Sequence, residues 1–338
     1  MTLKKSTEKQ LKRKQLFGIA EWYGRLYRGL SDAERKVLVA VPYGTLVCPF
    51  LADVPSLGPK SGKLTCSKAG GVCSLRNFHE PESTQDLSFG PISATCPNRF
   101  LERGVVVRHI GELLLGTESP AFAKELPFLK RPISGKTDQA IDETLADQDS
   151  QELALVDAGA EDVGRIDLVL VNPDDPSVWC AVEFQAVYFS GAEMGVDYAA
   201  IKAHDGNGIP MPAKGRRPDF RSSGPKRLMP QLMIKVPALR RWGHKMVVVV
   251  DEPFFAALDP MEEASHVSNS DIVWVVTKFD DSQGVGNSDL KIVRTVNTTL
   301  ESAVKGLTAG RPTTLPEFEQ KLSSKIAPTF PPPPPAAS

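Results

Sequence analysis

The chain has 338 residues, with 40 Lys and Arg against 41 Asp and Glu, enough sequence for one large domain or two modest ones. Its longest aliphatic runs, such as VVVV at 247–250, are far too short to span a bilayer. The opening MTLKKSTEKQLKRK is charged throughout and lacks the apolar centre of a secretory signal, so a soluble, cytoplasmic protein is the expectation.

Residues 1–14 hold six bases against Glu8 and read as a basic arm. From Leu16 onward Ile19, Tyr23, Leu26, Tyr27 and Leu30 recur at helical spacing, which predicts a helix to about Gly29. Ser31 with Glu34 resembles a capping box that opens a second helix through AERKVLVAV. Residues 44–100 are rich in Gly, Pro and Ser and have little periodicity, yet they hold four of the five cysteines: Cys48, Cys66, Cys73 and Cys96. Without a secretion signal, clustered cysteines favour metal ligation over disulfides. Four thiolates suit Zn²⁺ or iron equally in softness and tetrahedral geometry, and a metal clip would hold a stretch that folds poorly unaided. The spacing contains no CxxC pair, scattered free thiols are the plain alternative, and His79 is a possible substitute ligand.

GVVVRHIGELLLG (104–116) is apolar and buried, as helix or strand, and residues 131–150 form a polar connector. Two strands follow, RIDLVLV and VWCAVEFQAVYF, joined by the turn-rich NPDDPS. Cys180 in the second is read as a small core residue. A Gly/Pro/Arg-rich loop leads to the helical segment LMPQLMIKVPALRRW, where Pro230 and Pro237 start or kink the helix. Strands KMVVVV and DIVWVVTKF, a helix at TLESAVKGL and an extended, disordered Pro-rich tail from Ala327 complete the chain. This order argues an α/β protein with a mixed sheet flanked by helices.

Charge is segregated along the chain. Residues 214–245 hold ten bases and one acid, Asp219, whereas residues 138–175 hold twelve acids and one base, Arg165. Such blocks suggest a polyanion-facing surface beside an acidic site, against the plainer reading of solvated surface. The acids of most interest lie inside the two strands. Side chains alternate between faces, so Asp167, Val169 and Val171 share one face, and Ala181, Glu183 and Gln185 share another. A hairpin centred near Asp174–Asp175 pairs position 167 with roughly 182 to 183, which lets Asp167 and Glu183 converge. Two close carboxylates repel unless a cation lies between them, and Mg²⁺ suits an oxygen-rich site that also takes substrate phosphate.

Asp167, followed in the next strand by Glu183-Phe184-Gln185, resembles the PD-(D/E)xK nuclease motif with glutamine in the usual lysine position. Together with the cysteine-rich stretch and RRPDFRSSGPKRLMPQLMIKVPALRRWG, it resembles the NotI-type restriction endonucleases over roughly residues 40 to 300. The resemblance implies a PD-(D/E)xK core with an inserted four-cysteine segment: a basic arm and helical region at 1–40, a metal-binding DNA-contact segment at 41–103, the nuclease core at 104–310 and the tail at 311–338. It implies Mg²⁺ held by Asp167, Glu183 and the Phe184 carbonyl, Gln185 in the lysine's place, and an upstream acid, Glu152 or its rival Glu161. It tips the metal at Cys48, Cys66, Cys73 and Cys96 toward structural iron, with Zn²⁺ as the alternative. It also implies double-strand cleavage at a GC-only palindrome, one centred on CGGCCG, by a homodimer whose host carries a protecting DNA methyltransferase. Arginine reads guanine by bidentate contact, and Arg216, Arg217, Arg221, Lys226 and Arg227 lie in the least regular part of the basic segment. A repair nuclease acting on DNA structure and a non-catalytic DNA-binding regulator with a four-cysteine site are the alternatives. The dimer surface is expected in the helices of residues 16–40.

Overall fold

The computed structural model describes residues 16–58, 62–79, 87–131, 161–308 and 313–326. The basic arm, nearly all of the polar connector and the Pro-rich tail lie outside them. Among the described residues no helix is long and apolar enough to cross a membrane.

Residues 16–29 depart from the expected helix. Leu16–Trp22 is a strand, β1, that turns at Tyr23-Gly24 into the short β2 (Arg25–Leu26). Both turn residues have positive φ, 48° and 81°, the left-handed geometry that a two-residue hairpin needs. The Tyr-Gly pair broke a pattern whose apolar spacing looked helical. β1 pairs with β3 (Val72–His79), which pairs with β4 (Ser88–Ala94), giving an antiparallel sheet in the order β2-β1-β3-β4. The second helix forms as read: α1 (Asp32–Val39) starts at a capping box between Ser31 and Glu34.

A six-stranded sheet forms the centre, in the order β12-β11-β10-β7-β6-β5. Its members are β5 (Ala121–Arg131), β6 (Glu161–Val171), β7 (Trp179–Phe184), β10 (Lys245–Asp251), β11 (Ile272–Asp280) and β12 (Asp289–Thr298), while β8 (Phe189–Ser190) pairs with β9 (Arg217–Pro218) outside it. β10 runs parallel to both β7 and β11, and the remaining pairs are antiparallel, so the sheet is mixed. The middle strands read as unbroken Val runs because both their faces are covered. One face, through Leu168, Leu170, Val182, Val247 and Val249, packs on Ala20, Ile92, Phe100 and Ile110. Ile110 belongs to α2 (Val105–Ile110), which a π turn extends to Leu115, so the ambiguous GVVVRHIGELLLG is helical. The other face, through Val169, Ala181, Val248 and Trp274, packs on Leu232, Val236 and Leu239 of α4 (Met229–Trp242) and on Leu307 of α5 (Leu300–Thr308). Each such aliphatic side chain contributes about 1.5–3 kcal/mol by leaving water. α3 (Met194–Ala203) lies between β8 and β9 in sequence and packs its Ile201 on the β1–β3 side.

Arg99 joins the two sheets. It is fully buried, donates to Glu21 of β1 at 2.9 and 3.0 Å, to Glu102 at 2.6 Å and to Ser288 beside β12 at 2.8 and 3.1 Å. Its guanidinium lies 4.6 Å from the Phe50 ring centre and 4.3 Å from that of Phe279, so two rings attract its charge.

Candidate active site

β6 and β7 form the expected hairpin. Leu168 pairs with Val182, Val169 with Ala181, Leu170 with Cys180 and Val171 with Trp179. The turn is fixed by Asn172, whose Oδ1 accepts from the Asp174 and Asp175 amides at 2.8 and 3.3 Å. One further step in the same register sets Asp167 opposite Glu183 on adjacent strands. The backbone ladder stops there, and side chains take over. The Phe184 amide donates to Asp167 Oδ2 at 3.0 Å. Strict alternation also ends there: Ile166 packs on the α4 side with Val169, not with Leu168.

Glu183 is buried, 3 % exposed, on the face covered by α4. Lys235 of that helix is equally buried and donates to Glu183 Oε1 at 2.6 Å, to the Arg165 carbonyl at 2.6 Å and to Gln231 Oε1 at 3.0 Å. Burial pushes the Glu183 carboxyl up to about 7; the Asp167 charge adds to this, and the Lys235 ammonium opposes it. Asp167 keeps an edge open to solvent, but the surrounding protein raises its carboxyl above the usual range, with the Phe184 amide and Lys235 opposing. The pair therefore consists of one deep carboxylate and one at the mouth, each held away from its ordinary titration by the other elements of the site.

Gln185 stands just past the end of β7. Its amide N–H donates to the Val249 carbonyl at 3.0 Å, and its side-chain nitrogen donates to the Ala186 carbonyl at 2.6 Å. Glu152 lies outside the described residues. Glu161 opens β6, six residues and so about 20 Å of strand before Asp167. Among the described residues, Glu125 on β5 is an acid whose charge acts on Asp167. The β5–β6 ladder runs through Lys124/Leu168 and Leu126/Ile166 but skips Glu125/Asp167, and Glu125 holds a left-handed φ of 47°. Its charge adds to the upward push on Asp167. Nothing in AFAKELPFLK marked it.

Lys235 was also missed. Its place with Leu232, Val236 and Leu239 on one helical face was a signal available in the sequence, since that spacing puts a lone base on the buried side.

The four upstream cysteines are all buried and share one region. Cys48 donates its amide to the Leu64 carbonyl at 2.7 Å and Cys66 to the Leu46 carbonyl at 2.8 Å, while the Cys96 amide reaches the Cys73 carbonyl at 3.2 Å. Burial raises the thiols of Cys48, Cys73 and Cys96, and neighbouring thiols, Cys66 among them, add to each. The donor chemistry fits a thiophilic metal, although among the described residues no group of three or more His, Cys, Asp or Glu side chains is drawn close enough to hold an ion. His79 sits six residues beyond Cys73 at the other end of β3, about 20 Å away. Cys180 is a core residue of β7, its thiol pushed up to about 12 by burial.

Within the basic segment Arg216 is a structural clamp. It is buried, pairs with Asp197 at 2.5 Å and donates to the Phe17, Ala192 and Glu193 carbonyls at 2.8, 3.0 and 3.1 Å, so its guanidinium is engaged within the protein at the wall of a cleft. Its sequence neighbours Arg217, Arg221, Lys226 and Arg227 are exposed. The Arg227 guanidinium lies 3.7 Å from the Tyr188 ring centre. Both line a cleft of about 530 Å³ with Phe184, Gln185, Lys68 and Thr95, so the end of β7, the cysteine region and the basic turn meet in one groove.

The family model for the restriction endonuclease NotI matches this chain over residues 37–152 and 146–290, which takes in the cysteine region, Asp167, Glu183 and the basic segment. No curated protein matches it. The chain belongs to the NotI restriction endonuclease family and is a type II site-specific deoxyribonuclease, a hydrolase of double-stranded DNA.

Proposed function

We propose that this enzyme has a PD-(D/E)xK core and makes Mg²⁺-dependent double-strand breaks at a GC-only palindrome, one centred on CGGCCG, as a two-fold homodimer. The observation that carries the reading is the register of Asp167 opposite Glu183, with the Phe184 amide between them, in a chain of this family. Asp167, Glu183 and the Phe184 carbonyl would hold the Mg²⁺, since two raised carboxyls side by side suit a hard divalent cation. Bound there, the ion would polarise the scissile phosphate and activate a water. Gln185 can orient water or phosphate through its amide but supplies no positive charge. Glu152 or Glu161 would be the upstream acid, and Glu125, whose charge acts on Asp167, is a further candidate. A host that makes such an enzyme needs a cognate DNA methyltransferase for protection.

A proton on Glu183 must leave before a metal can bind. Because its carboxyl is raised to about 7, the Mg²⁺ concentration for half-maximal cleavage is expected to rise as pH falls below 7, by up to about tenfold per unit, and to level off above it. Titrating Mg²⁺ against cleavage at several pH values tests this reading; a requirement flat from pH 8 to pH 6 contradicts a raised Glu183 carboxyl acting as metal ligand.

Cys48, Cys66, Cys73 and Cys96 would hold a structural iron, or zinc, that orders the loop facing DNA. Cys66→Ser is expected to lower metal content and the thermal midpoint together; unchanged metal, fold and activity would refute the assignment. Arg217, Arg221, Lys226 and Arg227 would contact DNA from the basic turn. Arg221→Ala is expected to weaken binding across sequences and to reduce the salt slope of log K by about 1, while Arg227→Ala, if it reads a base, is expected to lose about 1–3 kcal/mol on the cognate site alone. Fluorescence anisotropy in EDTA at several salt concentrations separates the two.

A further inference from the structure

The β6–β7 ladder ends one step short of the two carboxylates, so something else must set their separation. On the Asp167 side the Phe184 amide crosses between the strands. On the Glu183 side the crossing is made by Lys235. Its ammonium donates to the Arg165 carbonyl on β6, two residues before Asp167, and to the Glu183 carboxylate on β7. Its third proton goes to Gln231, one turn earlier on α4. An ammonium has three donors, and all three are spent within the protein. Lys235 therefore has none left for a phosphate in this arrangement, and its side chain is 4 % exposed.

From these contacts we infer that Lys235 is a positioning residue for the reaction: it clamps β6 and β7 to helix α4, fixes the gap between Asp167 and Glu183, and leaves Glu183 Oε2 as the oxygen turned to the metal. This rests on the nuclease reading above. It also sets a positive charge beside Glu183 from a helix fifty-two residues downstream, with the neutral Gln185 in the motif position. A carboxylate held by one oxygen in a three-way clamp is preoriented, and metal sites lose affinity when the groups that orient their ligands are removed, typically 10–100-fold. α4 follows directly on the turn that carries Lys226 and Arg227, so the clamp also joins the exposed basic turn to the carboxylate pair.

The test compares wild type with Lys235→Met, Lys235→Arg and Gln231→Leu. Three quantities are read: Mn²⁺ affinity by calorimetry on the DNA-free protein, DNA affinity in EDTA, and the single-turnover cleavage rate with Mg²⁺. Lys235→Met is expected to weaken Mn²⁺ binding at least tenfold and to slow cleavage at least 100-fold, with DNA affinity within twofold of wild type. Lys235→Arg restores the charge and is expected to recover part of the Mn²⁺ affinity. Gln231→Leu removes only the third contact from a half-buried position, and is expected to cost a few-fold in both Mn²⁺ affinity and rate on a folded protein. If Lys235→Met does not fold, Gln231→Leu decides: wild-type Mn²⁺ affinity and rate in that variant overturn the inference. Folded Lys235→Met with Mn²⁺ affinity and rate within threefold of wild type overturns it as well. Failure of the nuclease reading itself is seen separately, as wild-type protein that binds DNA and cleaves none; the Mn²⁺ comparison still judges the clamp.

Discussion

Glu183→Ala is expected to slow cleavage at least about a thousand-fold, roughly 4 kcal/mol of transition-state stabilisation, while DNA affinity in EDTA stays at the wild-type value. The size follows from what the side chain does. It is the deeper of two facing carboxylates, and its charge is the one that Lys235 holds in place. Alanine also strands the Lys235 ammonium in a buried site, so it is expected to lower the melting temperature of a protein that still binds DNA. Glu183→Gln avoids this, because the amide oxygen can still accept from Lys235 while the negative charge is gone. The glutamine variant is expected to bind DNA, to melt close to wild type and to remain at least about a thousand-fold slow. Single-turnover kinetics on both variants, with melting curves, separates chemistry from folding. Cleavage within tenfold of wild type in the glutamine variant would remove Glu183 from the catalytic set.

The largest effect on stability is expected at Arg99. It is fully buried among Glu21, Glu102 and Ser288 and lies close to the rings of Phe50 and Phe279. Arg99→Met fills much of the same space but leaves the buried Glu21 carboxylate without its cation, with only the Ser74 and Ser288 hydroxyls beside it, while Glu102 keeps Arg103; breaking such a buried pair costs about 3–5 kcal/mol. Against a total of about 5–15 kcal/mol, this removes a large fraction of the folding free energy. Because Arg99 spans β1, the turn after Cys96 and the start of β12, the loss should be felt by both sheets in one transition. Urea denaturation followed by fluorescence reads it directly. A midpoint shift equivalent to less than 1 kcal/mol would mean that the hub is replaceable by water or by neutral forms of its acids.

The central hairpin was legible because its two signals agree. RIDLVLV and VWCAVEFQ are apolar runs, and NPDDPS between them is a short turn that sets the register, so the sequence places Asp167 opposite residues 182 to 183, within one step of the register found. The β10 and β11 strands were legible for the simpler reason that Val-rich runs buried on both faces admit few alternatives. The first sheet was hidden. β3, VCSLRNFH, buries Ser74 and Arg76 against charged partners, and β4 contains Gly90 and Pro91, so neither shows an alternating pattern. β1 was mistaken for helix because a Tyr-Gly turn falls inside a run with apparent helical spacing. Function was hidden where it depended on distant partners. Arg216 belongs to a block of bases that reads as a surface, yet Asp197 and three carbonyls draw it inside. Lys235 and Glu125 approach the carboxylates only through helix packing and strand order, which local sequence does not encode.

The most direct measurement is a digest of a long, fully sequenced DNA by the purified protein, with Mg²⁺ or with EDTA, mapping every end produced. Discrete ends that depend on Mg²⁺ and share one GC-only palindrome are the result this account expects. Ends scattered without a common sequence, or no cleavage by protein verified as folded and metal-loaded, would contradict it.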